Sequence, residues 1–146
     1  MKNLIRIFLA ITLATFASCS KVDTETELQQ AERELKAGNI DMALSGCEVL
    51  TDSTMSTLTS TQMCRVAIIY AKASETSNNH NYMVAATECF DKAVQLDADT
   101  DSLEAYINSL GLEDLSVVNS IREVSQILKT PVDLSDRDYE QEEINS

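Results

Sequence analysis

The side chains of this sequence that could take part in the greatest range of chemical reactions are its four cysteines and its single histidine, His80. A cysteine sulfur can carry a lipid, form a disulfide or bind zinc, and an imidazole can act as a base or a metal ligand. Cys19 follows an apolar N-terminal stretch, whereas Cys47, Cys64 and Cys89 lie within or beside patterns of helical spacing. We therefore expect Cys19 to have a role separate from that of the other three.

The N-terminus has the layout of a secretion signal. Lys2 and Arg6 precede an uncharged, mostly apolar stretch over residues 7–17. This stretch is well short of the ~20 apolar residues that a membrane-spanning helix needs. It ends in Phe16-Ala17-Ser18-Cys19. Two small residues before a cysteine resemble the lipobox of bacterial lipoproteins, although Phe16 stands where that family most often has Leu.

The lipobox resemblance implies that the sulfur of Cys19 receives a diacylglycerol and that the signal peptide of residues 1–18 is removed. It also implies that the new amino terminus is acylated, with palmitate as the expected group. Several acyl chains on one residue anchor a protein stably, where a single chain would not. The alternatives are an ordinary secretory cleavage and a buried N-terminal helix. The second is disfavoured because residues 7–17 are apolar on all sides and follow two cations.

The residues after Cys19 indicate where such a lipoprotein would reside. Ser20 follows the cysteine. By resemblance to lipoproteins of two-membrane bacteria, in which Asp at that position favours inner-membrane retention, Ser20 points to the outer membrane. Acidic residues soon after the cysteine resemble the surface-export signals of Bacteroidetes lipoproteins, although a lysine and threonines interrupt them here: Asp23, Glu25 and Glu27. The periplasmic face and the cell surface both stay open as locations.

Three cysteines remain after Cys19, and three thiols cannot all pair within a monomer. Outside the cytoplasm a disulfide can form, and Cys47 and Cys64 are the best candidate pair because they would lie on sequential antiparallel helices. The alternative, which we favour, is that Cys47, Cys64 and Cys89 are all buried thiols, since cysteine in an apolar helical stripe behaves as a small apolar group. The absence of a CxxC motif gives redox catalysis and zinc binding little support.

Catalysis has little support elsewhere in the sequence. His80 stands among asparagines, and a lone imidazole needs partners to act as a base or a ligand, so we expect an exposed loop residue. Asp97, Asp99 and Asp101 lack the glycine and the terminal glutamate of a calcium-binding EF-hand loop. Nucleophile-elbow, phosphate-loop and zinc-protease motifs do not occur. We therefore expect no enzyme activity, no cofactor and no bound metal.

Composition and spacing predict an all-α protein. The chain has 146 residues, of which 44% are hydrophobic, and contains only three glycines and one proline, which argues against a turn-rich sandwich or barrel. Apolar residues at spacings of three and four predict six helices, the third of them central: residues 27–37, 40–50, 64–71, 83–96, 103–110 and 117–128. We expect loops over residues 52–57 and 74–81, and a capping box at Asp101–Glu104.

The second and fourth segments are similar to each other at an offset of 43 residues, with four matched positions: Gly38-Asn39 on Asn81-Tyr82, Ala43 on Ala86, Cys47 on Phe90 and Leu50 on Ala93. A helix, a glycine-containing turn and a second helix with small residues resemble the tetratricopeptide repeat. Because that repeat is ~34 residues long, the offset requires longer loops. The resemblance implies stacked antiparallel hairpins, two degenerate repeats plus a capping hairpin. A generic helical bundle is the alternative.

We therefore predict four regions: a signal peptide over residues 1–18, a tether over 19–26, a helical repeat-like domain over 27–129 and an acidic tail over 130–146, which we expect to be disordered. Removing residues 1–18 takes away Lys2 and Arg6 but no acid, so the net charge becomes −15. A surface of this sign excludes nucleic acid as a partner and steers basic partners.

The predicted function is that of a membrane-anchored, non-catalytic interaction module. Its stacked hairpins would present a groove to a protein partner with a basic contact surface. Tyr70, Tyr82 and Tyr106 are the candidate groove residues. A small structural or assembly lipoprotein of the envelope, without a specific peptide groove, is the second hypothesis, and an enzyme is the third.

Overall fold

The structure, a computed structural model, describes residues 23–54 and 57–130. Cys19, the predicted signal peptide and the tail after Thr130 lie outside the described residues. Within them all regular structure is helical, which confirms the all-α prediction and the six helices: α1 Thr24–Lys36, α2 Ile40–Thr54, α3 Ser60–Ser77, α4 His80–Leu96, α5 Ser102–Ser109 and α6 Leu112–Lys129. None of these helices is both long enough and apolar enough to cross a bilayer.

The chain forms two compact units, which meet in sequence between Leu58 and Thr59. The first unit contains the hairpin of α1 and α2. Its turn depends on Gly38, whose φ of +83° is accessible to glycine at little cost. The backbone N–H of Gly38 donates to Leu35 O, and that of Asn39 donates to Glu34 O. These bonds satisfy carbonyls at the end of α1, as a glycine C-cap does, and the chain reverses at the predicted position.

The two helices of the first unit approach closely where both carry small residues. A Cβ atom added at Gly46 would lie 3.2 Å from the Cβ of Ala31, so the glycine lets α2 lie against α1. The remaining buried side chains of this hairpin fall at spacings of three and four, as predicted: Leu28, Ala43, Leu44, Cys47 and Leu50. The helix α1 begins at Thr24, within the segment predicted to be a tether.

The second unit begins with a capped hairpin of α3 and α4. The Thr59 hydroxyl accepts from the Gln62 backbone N–H at 3.2 Å, and the Gln62 side chain accepts from the Thr59 N–H at 3.1 Å, which is a capping box. Eleven of the eighteen residues of α3 are buried, and α3 packs against α4, α5 and α6. Within the second unit, the third helix is therefore central, as predicted.

The loop predicted over residues 74–81 is wrong, because α3 continues to Ser77 and α4 begins at His80. The hydroxyl of Thr76 donates to Lys72 O at 2.9 Å, and that of Ser77 donates to Ala73 O at 2.6 Å. Such bonds satisfy the hydroxyls of polar residues that lie within a helix. The connector is therefore Asn78-Asn79: Asn78 is left-handed with a φ of 52°, and Asn79 caps α4.

The turns show that the two hairpins correspond at an offset of 40 residues rather than 43. Gly38 and Asn78 are both left-handed, whereas Asn81 and Tyr82, the predicted equivalents of the first turn, lie inside α4. The difference of three residues is close to one helical turn, so both offsets select the same helix face. All six matched side chains along the second helices are indeed buried: Ala43, Cys47, Leu50, Ala86, Phe90 and Ala93.

The helices α5 and α6 complete the second unit by packing on the first hairpin of that unit. The helix α5 contacts α3, and α6 contacts both α4 and α3, so antiparallel hairpins are stacked on one another here. The buried hydroxyls all have partners, and no described buried side-chain nitrogen or oxygen lacks one. The four hydroxyls belong to Ser60, Ser74, Thr87 and Ser125. A core of this kind is small, apolar and free of unpaired polar groups.

Candidate functional site

Cys47, Cys64 and Cys89 are buried, and none of them is in a disulfide in this structure, so the candidate Cys47–Cys64 bond is not present in it. Burial raises the pKa of the Cys64 thiol to about 12, although the positive charge of Arg122 opposes this shift. Burial and the negative charge of Glu88 raise the pKa of Cys89 to about 11. Because the thiolate is the reactive form of cysteine, Cys64 and Cys89 are placed as packing residues rather than nucleophiles.

His80 is exposed, as predicted, but it is the first residue of α4 rather than a loop residue. Its position follows from the Asn79 cap, whose side chain accepts a hydrogen bond from the Asn81 N–H at 3.1 Å. No group of three or more described histidine, cysteine or acidic side chains is arranged to hold a metal ion. His80 therefore belongs to no metal-binding cluster among the residues that the structure describes.

The structure brings two of the three candidate tyrosines together. The ring centroids of Tyr70 and Tyr82 lie 6.5 Å apart with the planes tilted by 34°, within the range of an aromatic pair. Tyr70 is only 8% exposed, and Tyr82 and Tyr106 are half-buried. The Tyr70 ring therefore stabilises the α3–α4 hairpin and is not available as an exposed aromatic anchor for a partner.

Among the three predicted connector acids, Asp97 has a defined structural role. Its Oδ1 atom accepts from the hydroxyls of Thr100 and Ser102 at 2.6 Å each, and from the Ser60 hydroxyl and the Ser102 N–H at 3.1 Å each. The bonds from Ser102 and Thr100 contribute most to lowering the pKa of Asp97 to about 2. This carboxylate ties the start of α3 and the start of α5 to the end of α4.

The capping box predicted at Asp101–Glu104 is wrong. Asp101 is left-handed, with a φ of 52°, and its side chain makes no capping hydrogen bond. The first free N–H of α5, that of Ser102, instead donates to Asp97. The turn after α4 brings Asp97 back to α5, and a carboxylate at a helix N-terminus stabilises the helix in the same way as a local cap.

Three cations of the second unit are held by carboxylates on neighbouring helices. Lys72 on α3 lies 2.7 Å from both Glu113 and Asp114 on α6. Partial burial disfavours its charge, but the hydrogen bonds that it donates to Asp114 and Glu113 outweigh this effect and raise the pKa of Lys72. Lys129 on α6 lies 2.7 Å from Asp91 on α4. These ion pairs link α6 to the α3–α4 hairpin.

Arg122 makes the third of these ties. Its guanidinium lies 3.1 Å from Glu104 Oε2 on α5, and it also stands over the Phe90 ring of α4, 5.6 Å from the centroid. The ion pair joins α6 to α5, and the cation–π contact joins α6 to α4. Lys72, Lys129 and Arg122 therefore all form ion pairs with carboxylates of this chain.

A surface that the sequence reasoning missed lies on α2, and we call it the α2 outer face: Asp41, Met42, Glu48, Val49 and Asp52. Met42 is 61% exposed and Val49 is 41% exposed. They are seven residues apart, which places them on one side of the helix. The three acids are exposed beside them, and residues 40–54 contain no lysine or arginine. The spacing of Met42 and Val49, opposite the buried stripe, is the signal that could have identified this face.

An open depression of about 380 Å³ adjoins the N-terminal end of the α2 outer face. It is lined by residues of the turn and the first turn of α2: Gly38, Asn39, Ile40, Asp41 and Met42. It is a shallow surface feature that contains one carboxylate and no other acid–base group. Its composition suits the docking of a side chain better than a chemical reaction.

Similarity to known proteins gives no functional information for this chain. The chain matches no protein-family model, no curated protein and no solved structure.

Proposed function

We propose that this protein is a lipoprotein of the bacterial envelope, anchored through lipid on Cys19, whose helical domain binds another protein without catalysis. The observation that carries this proposal is the spacing between the lipobox cysteine and the domain. The first residue of α1, Thr24, follows Cys19 by five residues. A chain of that length spans at most about 18 Å, so lipid on Cys19 would hold the domain beside the membrane.

A role in binding is supported by the excess of acidic residues and by the ion pairs that the basic residues form within the fold. The net charge after removal of residues 1–18 is −15, while Lys72, Arg122 and Lys129 are engaged by carboxylates of the fold. The remaining acids leave a negative surface, which steers basic partners and repels acidic ones. Together with the raised pKa values of Cys64 and Cys89, this arrangement favours recognition over nucleophilic chemistry.

The anchoring part of the proposal is tested by fractionating cells that produce the wild-type chain or Cys19→Ala. The wild-type protein should be found with outer membranes and carry acyl groups on its N-terminal residue. Cys19→Ala should lose both. Wild-type protein that is soluble, with an unmodified N-terminus, would refute the anchor.

The binding part is tested by photo-crosslinking in cells from exposed positions on different helices, such as Gln29, Ser45 and Glu123. A discrete crosslinked product from at least one position, identified by mass spectrometry, is the expected result. Crosslinks to no protein from any position would refute an interaction module.

The second candidate, an assembly lipoprotein without a specific peptide groove, is favoured by one observation. Tyr70 is buried, so a groove with exposed aromatic anchors, which are enriched at binding hot spots, loses its main residue. The crosslinking experiment separates the two functions. A recognition module should give one partner from a limited set of positions, whereas a scaffold should give several neighbours from all of them.

A further inference from the structure

We propose that the α2 outer face is the docking surface for a basic, amphipathic helix of a partner protein. This inference rests on the proposed binding function and assigns to it a place and a partner chemistry. It starts from the two exposed apolar side chains, Met42 and Val49, which form a ridge along one side of α2. A methionine side chain is flexible and polarisable, and therefore suited to packing against a partner.

The acids beside this ridge determine the chemistry of the partner. Asp41, Glu48 and Asp52 are spaced by seven and four residues, so they form a second ridge parallel to the first. With no cation between residues 40 and 54, these charges have no counterion on their own helix. A partner helix with an apolar stripe flanked by lysine or arginine would match both ridges, as in other helix-docking interfaces.

The positions of Glu48 and Asp52 are unfavourable for the helix itself, which argues against a purely structural role for these two acids. Asp41 lies in the first turn of α2 and stabilises the positive end of the helix dipole. Glu48 and Asp52, however, are a like-charge pair four residues apart, and Asp52 lies close to the C-terminal end, where cations are favoured. A bound basic helix would supply the missing positive charge at that end.

The depression at the start of α2 adds a place for a partner side chain. It opens beside Met42 and includes Asp41. A lysine or arginine could lay its aliphatic stem along Ile40 and Met42 and place its charge near the Asp41 carboxylate, since such side chains combine an apolar stem with a charged head. The α2 outer face would then run from this depression to Asp52.

The test uses the complete mature chain carrying Cys19→Ala and a fluorescein-labelled synthetic helix of about five turns, with leucines on one side and lysines beside them. Anisotropy titrations should show saturable binding of this peptide and none of the same peptide with glutamates in place of lysines. Glu48→Lys/Asp52→Lys should weaken binding by about tenfold or more. Met42→Gln/Val49→Thr should weaken it to a similar degree.

Matched controls separate the α2 outer face from the general field of an acidic protein. Asp99→Lys/Glu123→Lys changes the net charge by the same amount on the second unit, and Val84→Thr/Leu112→Gln removes two apolar groups there that are at least as exposed as Val49. Both control variants should bind the peptide as the wild type does. An equal loss in the charge controls and the α2 variants would overturn the proposal, as would a lack of peptide binding. Circular dichroism of each variant verifies that it is folded.

The outcome in cells distinguishes failure of this inference from failure of the proposed function. A photo-crosslinker at Ser45, which is exposed on α2 between the two ridges, should capture the partner, and Glu48→Lys/Asp52→Lys should abolish this product. A partner captured from Gln29 or Glu123 but not from Ser45 would overturn the α2 docking surface and leave the proposed function standing.

Discussion

The replacement Ala86→Leu tests whether the α3–α4 hairpin depends on close approach of its helices. Ala86 on α4 is fully buried, and α3 provides further buried alanines along its length: Ala67, Ala71 and Ala73. Leucine and alanine differ by only a few tenths of a kcal/mol in helix propensity, so the effect should come from packing. Three added carbon atoms in a filled position should cost ~1–3 kcal/mol by overpacking.

The assay is urea and thermal unfolding followed by circular dichroism, on the mature chain carrying Cys19→Ala. A domain of ~60–100 residues loses ~4–8 °C in Tm per kcal/mol, so a cost of 2 kcal/mol would lower the Tm by roughly 8–16 °C. The matched control is Ala105→Leu, the same change at an exposed position of α5, which should stay within about 0.5 kcal/mol of the wild type. Equal stability of the two variants would refute close packing at Ala86.

Two further predictions follow from pKa values. The pKa of Asp97 is about 2, below the ordinary 3.8, so its contribution to stability is complete above about pH 4 and is lost as the pH falls toward 2. The difference in urea midpoint between wild type and Asp97→Asn should therefore shrink over that interval; a constant difference would contradict the assignment. Because the pKa values of Cys64 and Cys89 are raised to about 12 and 11, thiol reagents at pH 8 should modify them only after unfolding. With Cys19→Ala, denatured protein should titrate Cys47, Cys64 and Cys89 as three thiols. A titre of one thiol would instead reveal a disulfide, and the identity of the remaining thiol would show whether the pair is Cys47–Cys64.

The helices could be predicted because apolar spacing alone specifies them. Ala43, Cys47 and Leu50 fall on one side of α2, and Ala86 and Ala93 on one side of α4. Each segment needs only its own sequence to define a buried face. The glycine turn at Gly38 was predictable for the same reason, since its left-handed backbone is a local requirement.

The polar contacts could not be predicted in this way, because they join residues that are distant in sequence. Leu128 ends the apolar spacing of the sixth predicted segment, and this spacing assigns it to the buried side of the helix. In the structure Leu128 is 58% exposed, and Ser125 is buried instead. Ser125 donates to Asp91, 34 residues away, at 2.9 Å, and this bond makes burial of its hydroxyl favourable. Hydropathy alone assigns Leu128 to the core and Ser125 to the surface. The packing of α6 on α4 instead buries Ser125 and leaves Leu128 exposed.

The candidate site was only partly predictable, since exposure decides which residues a partner can reach. Aromatic side chains are common at interfaces, which makes Tyr70, Tyr82 and Tyr106 candidates. Tyr70 is nevertheless buried, and its ring pairs with that of Tyr82, twelve residues away on another helix. Cys19 is different, because its expected modification depends on a linear motif. The lipobox prediction stays a prediction until acyl groups on Cys19 are measured.

The carboxylates of the α2 outer face should affect stability and binding in opposite directions, which separates a functional role from a structural one. Glu48→Gln/Asp52→Asn removes a like-charge pair worth about 0.2–0.5 kcal/mol, so at low salt this variant should be slightly more stable than the wild type. It should also bind the lysine-rich peptide more weakly, because the charge complementarity is gone. Raising the salt from about 0.05 M to about 0.5 M shortens the Debye length, which should stabilise the wild type and weaken its peptide binding. Both changes should be smaller in the neutral variant, which lacks the pair but keeps the other acids. Unfolding and anisotropy titrations at both salt concentrations measure the two effects. If the neutral variant were less stable than the wild type, the acids would serve the fold, and the reason for assigning them to a partner would be lost.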